Sequence, residues 1–525
     1  MTDQEPKPRE APVRLDRRQI LKGVAAAGLA SALGGTLACG DRAGRGQGAG
    51  ASSIGSRRDL IRAENERPGT TDWLLTKTRV DPETEYRCPW IEGYCSRTSV
   101  RAGDRLAIAV STNPLSPFKL DVYRMGYYQG KGGRLMAQLG PFQGKAQPDP
   151  PVGPERLRDC QWAPATEIAI PADWPSGVYL GKLTAEREGL QSYVVFVVRD
   201  DRPCDVLFQS SDTTWAAYNR WPSQYSLYDD GKKIWYWGPG VRVSWNRPYG
   251  KYCQIVDQPL SQGSGEFLLW EFPLAFWLEK EGVDVSYISN LDTHADPHGL
   301  LRTRLWLSVG HDEYWTLEMH DNVKAARDAG ISLAFLSANS CFGLIDLHPD
   351  GTGIPNRALR RIGHFGPLDE RNLVDFPEMA TFHRETPDES NLVGARTFYP
   401  LTGGGPWICT QENHWIFAGT GMKNGDRVPG LVGWEFHGLP APIPGLEVVA
   451  TGPAKRGREK GIYTATCYPG PKGNFVFNGA TIWWSDALSA PPGYLHPSLG
   501  HTQPRGPDPR IQRITKNLIE RARGA

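Results

Sequence analysis

Five consecutive residues, His311, Asp312, Glu313, Tyr314 and Trp315, close the apolar run LWLSVGHDEYW at Leu305–Trp315. An imidazole, two carboxylates and a phenol at one strand end offer base chemistry and oxygen ligands for a hard metal ion. His311 can act as base or ligand, and Tyr314 as a phenolate ligand. The same residue types also serve structure. Asp312 or Glu313 can cap the helix that follows, and Tyr314 can fill core space with its hydroxyl paired. SANSCFG presents Asn339 and Cys341. Cys341 reads either as a nucleophile partnered by His311 or as an inert buried thiol. Glu435 stands among apolar residues and glycines in GLVGWEFHG, either as an acid–base group or as the partner of an arginine. SSDTTWAAYNRWPSQYSLYDD is rich in aromatic residues. Its Trp215, Tyr218, Trp221, Tyr225 and Tyr228 either line a ligand pocket or pack against a neighbouring domain. No CxxC or HExxH spacing occurs, which argues against a zinc site.

The elements around these residues alternate. CDVLFQSSD reads as a strand from Cys204, FPLAFWLEKEGVDVSYIS as a helix stopped at Gly282 and then a strand. LWLSVGHDEYW is another strand, TLEMHDNVKAARDAG a helix stopped at Gly330, and ISLAFLSAN a further strand. Strands alternating with helices predict a parallel α/β sheet, and such sheets bind ligands beyond the carboxyl ends of their strands. Those ends are Ser210–Thr214, Gly310–Trp315 and Ser337–Cys341, so the chemistry-bearing residues converge there.

The preceding segment, from about Trp90 to Arg199, has a different pattern. RLAIAVST, FKLDVYRMGYY, TEIAIPA, GVYLGKLTA and SYVVFVVRD are short strands separated by turn residues, which predicts an antiparallel β-sandwich. Upstream, Arg17 and Arg18 precede the uncharged run Gly23–Ala38, the pattern of a twin-arginine export signal. TLAC ends at Cys39 like a lipidation site, and Gly40–Arg57 is a flexible Gly/Ala/Ser tether. The predicted division is therefore an export signal at 1–38, a tether at 39–67, a β-sandwich at 68–201 and an α/β domain at 202–525.

The 525 residues carry 59 basic and 58 acidic side chains, a formal charge of +1. No global field points to nucleic acid or an anionic membrane. Membrane association is expected only through the Cys39 anchor, with the body periplasmic or on the cell surface. With Cys39 lipidated, eight of the nine cysteines remain, an even number that in an exported chain permits disulfides, and CPWIEGYC makes Cys88–Cys95 the local candidate pair.

TTWAAYNRW, FWLEKEGVDVSYIS, VGHDEYW, FLSANSCFG and GLVGWE together resemble the C-terminal domain of the large subunit of the N,N-dimethylformamidase family, over roughly Cys204 to Leu488. IEGYCSRTSVRAGD and VYRMGYYQGKGGR resemble the β-domain that often precedes it. The resemblance implies a class I amidotransferase-like α/β fold and one iron held by two tyrosines and a glutamate. It implies hydrolysis of an amide C–N bond in a small molecule. It places one iron tyrosine at Tyr314, an active-site glutamate at Glu435 and the iron glutamate near PEMATFHR, at Glu378. It places the second iron tyrosine within Phe272–Trp277, where FPLAFW contains none. His311 and Asn339 are then catalytic candidates, with Trp215 and Tyr218 against the substrate. The alternative function is a non-catalytic exported protein that binds a carbohydrate or another ligand on the same fold. A homo-oligomer is compatible with either.

Replacing Arg17 and Arg18 together by Lys is expected to abolish export, because paired guanidinium groups are what a twin-arginine receptor reads. Cys39→Ser is expected to release the protein from membranes in a fractionation experiment. Normal translocation of the first variant, or unchanged membrane attachment of the second, would contradict these readings.

Overall fold

Strands Phe118–Met125 and Gly177–Ala185 show why the β-rich region is laid out as it is. They pair antiparallel within a five-stranded sheet, ordered Ser99–Arg101, Gln191–Arg199, Gly177–Ala185, Phe118–Met125, Gly133–Phe142. Alternate side chains, including Phe118, Leu120, Leu183 and Phe196, meet Ile108 and Val110 of a second, three-stranded sheet. That sheet comprises Glu92–Cys95, Arg105–Ser111 and Pro164–Ala169. The opposite face of the larger sheet is buried too. Tyr123, Met125, Val178, Leu180, Tyr193 and Val197 pack into the main core with Phe208, Phe272 and Tyr287. One pairing departs from the antiparallel expectation: Ser99–Arg101 runs parallel to Gln191–Arg199. The chain crosses from one sheet to the other between Cys95 and Ser99, and so meets the edge strand from its own end.

The computed structural model describes residues 59–250, 259–367, 377–381, 386–398, 404–433, 435–456, 459–494 and 506–524. Arg17, Arg18, Cys39 and Cys253 lie outside them. Residues 55–525 form one compact unit, and the regions divided at 201/202 share the core just described. Cys88 and Cys95 are separate buried thiols, so the local disulfide does not form; the other described cysteines are free as well. No described helix is long and apolar enough to cross a membrane.

The α/β region is built on a seven-stranded sheet. Its strands are β1 (Cys204–Ser210), β2 (Val285–Ser289), β3 (Thr303–His311), β4 (Ser332–Ala338), β5 (Glu447–Arg456), β6 (Glu459–Pro469) and β7 (Phe475–Asn478). They lie in the order β2-β1-β3-β4-β7-β6-β5. The first five are parallel, and β6 and β5 add antiparallel. Every residue of β1, β2 and β4 is buried, as a parallel sheet covered on both faces requires. The chain runs from β1 to one side and returns to the other at β3. The crevice beyond β1 and β3 is therefore the switch point where such sheets hold ligands.

Helices α1 (Asp212–Tyr218), α2 (Phe272–Lys280), α3 (Leu317–Ala329) and α4 (Pro509–Gly524) are among those that frame the sheet. Thr316 caps α3 by accepting from the Met319 N–H, and Gly330 closes it with φ +108°, a backbone state that glycine adopts without strain. Fully buried Arg124, from the β-rich region, grips Glu279 of α2. Nη2 lies 2.8 Å from Oε1, and Nη1 lies 3.0 Å from Oε2. Glu279 also accepts from Tyr287 and Asn65.

Glu279→Gln leaves the buried guanidinium without its counter-charge. Unfolding in denaturant should show a loss of about 3–5 kcal/mol, and a loss under about 1 kcal/mol would mean the pair does not join the two regions.

Candidate active site

The site begins with a kink. Gly310 has φ +67°, and a Cβ there would come within 2.6 Å of the Trp270 Cβ, so only glycine fits at the end of β3. Asp312 and Glu313 lie between the strand that ends at His311 and the two-residue strand Tyr314–Trp315, and their side chains turn to different sides. Asp312 turns away from the site. It accepts hydrogen bonds from Gln209 and Ser308 at 2.8 Å and from Asn290 at 2.9 Å. His311 and Glu313 turn together to the other side. The small polar residues after β1 fix this segment: Thr213 Oγ1 donates to the Tyr314 carbonyl, and Thr214 Oγ1 accepts from the Glu313 N–H.

His311 Nε2 lies 2.6 Å from Glu435 Oε2 and 3.3 Å from Glu313 Oε2. Nδ1 is 3.9 Å from Glu266 Oε2. All four side chains are buried. Burial alone would depress the imidazolium, but the charges of Glu435 and Glu313 outweigh it and hold His311 well above its ordinary value. Burial likewise raises Glu435, with His311 opposing the shift. Burial pushes Glu266 up to about 8. Ligand atoms of His311, Glu313 and Glu435 lie within 4.8 Å of one another, so this group can hold a metal ion.

Phenols complete the group. Tyr218, on α1, donates to Glu313 Oε2 at 2.5 Å. Tyr228 Oη lies 2.5 Å from Tyr218 Oη and 3.2 Å from Glu313 Oε1. Tyr314 Oη donates to Tyr228 Oη at 2.6 Å and accepts from Arg361 Nη2 at 2.8 Å. Burial, reinforced by the Glu313 charge, holds Tyr218 and Tyr228 well above the ordinary phenol range. Two phenolic oxygens and a carboxylate thus converge in a dry environment where a bound cation would reverse those shifts. The oxygen-rich donor set suits a hard metal ion.

The remaining predicted residues are distributed as follows. Asn339 follows Ala338, the register partner of His311 across β3 and β4. It adopts φ +54°, and its buried Oδ1 has no hydrogen-bond partner among the described residues. Trp215 belongs to the main core and donates to Glu271 at 2.9 Å. Glu378 is not brought into the group: its carboxylate pairs with Lys233 at 2.5 Å. The Phe272–Trp277 stretch of α2 is buried apolar core. Cys341 is buried, and burial keeps its thiol well above its ordinary value, which suits an inert side chain. The sequence raises Glu313 only as a metal oxygen or a helix cap and Tyr228 only as a pocket or packing aromatic, and it does not single out Glu266 or Arg361. For Glu313 a signal existed, its position two residues on from His311.

The turn carrying Asn339 is held by His437, whose Nε2 accepts from the Ser340 N–H at 3.1 Å and whose Nδ1 lies 2.7 Å from Asn478 Oδ1. Burial, opposed by the bond to Asn478, lowers His437 from 6.5 to about 4. The unfolded chain takes up this proton first, so the stabilisation is complete above pH 6.5 and is lost as pH falls through 4. Wild type should lose roughly 3 kcal/mol more than His437→Gln over that window in paired denaturant titrations. Parallel pH profiles would contradict the assignment.

A family model described as N,N-dimethylformamidase beta subunit-like, C-terminal, matches residues 119–497. It starts within the strand Phe118–Met125, well before Cys204, and so takes in most of the five-stranded sheet. No curated protein matches the chain. The match covers more than half of the sequence and spans every residue of the buried group, from Tyr218 to Glu435. The chain therefore belongs to the N,N-dimethylformamidase beta subunit-like, C-terminal family.

Proposed function

We propose that this chain is an exported, lipid-anchored hydrolase of amide C–N bonds, dependent on one ferric ion held by Tyr218, Tyr228 and Glu313. The observation that carries this reading is the convergence of those two phenolic oxygens on the Glu313 carboxylate. The strand order supports a class I amidotransferase-like fold for the α/β region, and the shared core of the two β-sheets supports a sandwich before it. Family membership supports the amide substrate class.

The protein's own residues divide the work. When bound, the ion supplies Lewis acidity that polarises an amide carbonyl or acidifies a water. Glu435 is the base. His311 Nε2 engages Oε2, which leaves Oε1 to take a proton from the attacking water. His311 balances the charge on Glu435 and Glu313 and fixes their separation. Asn339 offers Oδ1 as an acceptor to the bound substrate. Burial of the group excludes bulk water, so each of these interactions acts at low dielectric.

Purified full-length protein is expected to carry one iron per chain and to hydrolyse simple N-substituted formamides. Glu435→Gln should keep the iron and lower kcat by roughly 10²–10⁴-fold, the usual range for a lost general base. A wild-type rate in that variant, or a wild type that binds no iron, would contradict the proposal.

A further inference from the structure

Arg361 is a buried cation, 1% exposed, in the strand Ala358–His364. Among the described residues no carboxylate lies within ion-pair distance of it. Its guanidinium donates to Tyr314 Oη at 2.8 Å and to the Tyr236 carbonyl at 3.3 Å. It lies over the Trp237, Tyr228 and Tyr314 rings at 4.1, 4.7 and 5.5 Å. A buried charge is costly unless something answers it. Here the answering groups are phenols, and they form a chain: Arg361 donates to Tyr314, and Tyr314 donates to Tyr228 at 2.6 Å. The chain ends at Glu313 and Tyr218. Nearby packing holds it in place. A Cβ at Gly343 would come within 2.5 Å of the Tyr314 ring, so the neighbouring strand is shaped around that phenol.

We infer that Arg361 and Tyr314 are positioning residues that set how strongly the Tyr228 oxygen donates to the metal ion, an inference that rests on the ferric site proposed above. A hydrogen bond aimed at a ligating phenolate withdraws electron density from it, and partners one step from the metal commonly tune a site in this way. Tyr314 delivers that bond, and the guanidinium behind it polarises the Tyr314 hydroxyl. Tyr314 therefore acts on the metal through Tyr228 and is not itself a ligand. A merely structural Arg361–Tyr314 pair would alter stability and leave the electronic state of the metal untouched.

The test is the visible absorption of the iron-loaded full-length chain, read together with its iron content. Wild type should show a phenolate-to-iron charge-transfer band. Tyr314→Phe preserves the ring and removes the donated hydrogen bond. It should retain one iron and move the band to longer wavelength, because a more electron-rich phenolate transfers charge at lower energy. Arg361→Gln should move it the same way. If Arg361→Gln does not fold, the Tyr314→Phe spectrum still decides. An unshifted band with iron retained would overturn this inference and leave the ferric site standing. Loss of iron from Tyr314→Phe would overturn it by making Tyr314 a ligand. A wild type with no such band would overturn the ferric site and this inference together.

Discussion

An imidazole set among three buried carboxylates is the constraint that the rest of the site answers. His311 meets Glu435, Glu313 and Glu266, and none of the four reaches solvent. Charges so placed persist only with close, well-aimed partners. The polar residues after β1 therefore serve the backbone of His311–Tyr314, while Asp312 is bracketed by Gln209, Ser308 and Asn290. The phenols of Tyr218 and Tyr228 occupy the Glu313 side, and Glu266 stands at the N-cap position immediately before the short π-helical turn Phe267–Glu271. Single π-turns of this kind are frequent at functional sites.

The β-rich region is part of the same construction. Its five-stranded sheet buries one face against its own smaller sheet and the other against β1, β2 and α2. The Arg124–Glu279 pair lies in that second interface. A sheet with two dry faces cannot leave its neighbour without exposing a large apolar surface. The family match begins in this sheet and runs on through the α/β region.

Much of this was legible in the sequence. Alternating strands and helices gave the parallel sheet, and the glycine stops at Gly282 and Gly330 both adopt left-handed backbone. His311, Tyr218 and Glu435 were marked for chemistry, and they meet. The resemblance drew attention to Tyr314 and Glu378, but spacing alone does not show which phenol reaches which carboxylate. Tyr228 comes from an irregular loop, and Arg361 from a strand outside the main sheet, so neither carries a periodic signal. Their places depend on tertiary packing. The Cys88–Cys95 expectation failed for a related reason: a short loop spacing does not bring two thiols together when each is drawn into a buried environment of its own.

The central claim is a single ferric ion among Tyr218, Tyr228 and Glu313. Anomalous X-ray diffraction from crystals of the iron-loaded protein, collected on either side of the iron absorption edge, tests it most directly. The account predicts one strong peak bounded by the two phenolic oxygens and the Glu313 carboxylate. A peak elsewhere in the chain, or none at all in crystals whose solution carries stoichiometric iron, would contradict it.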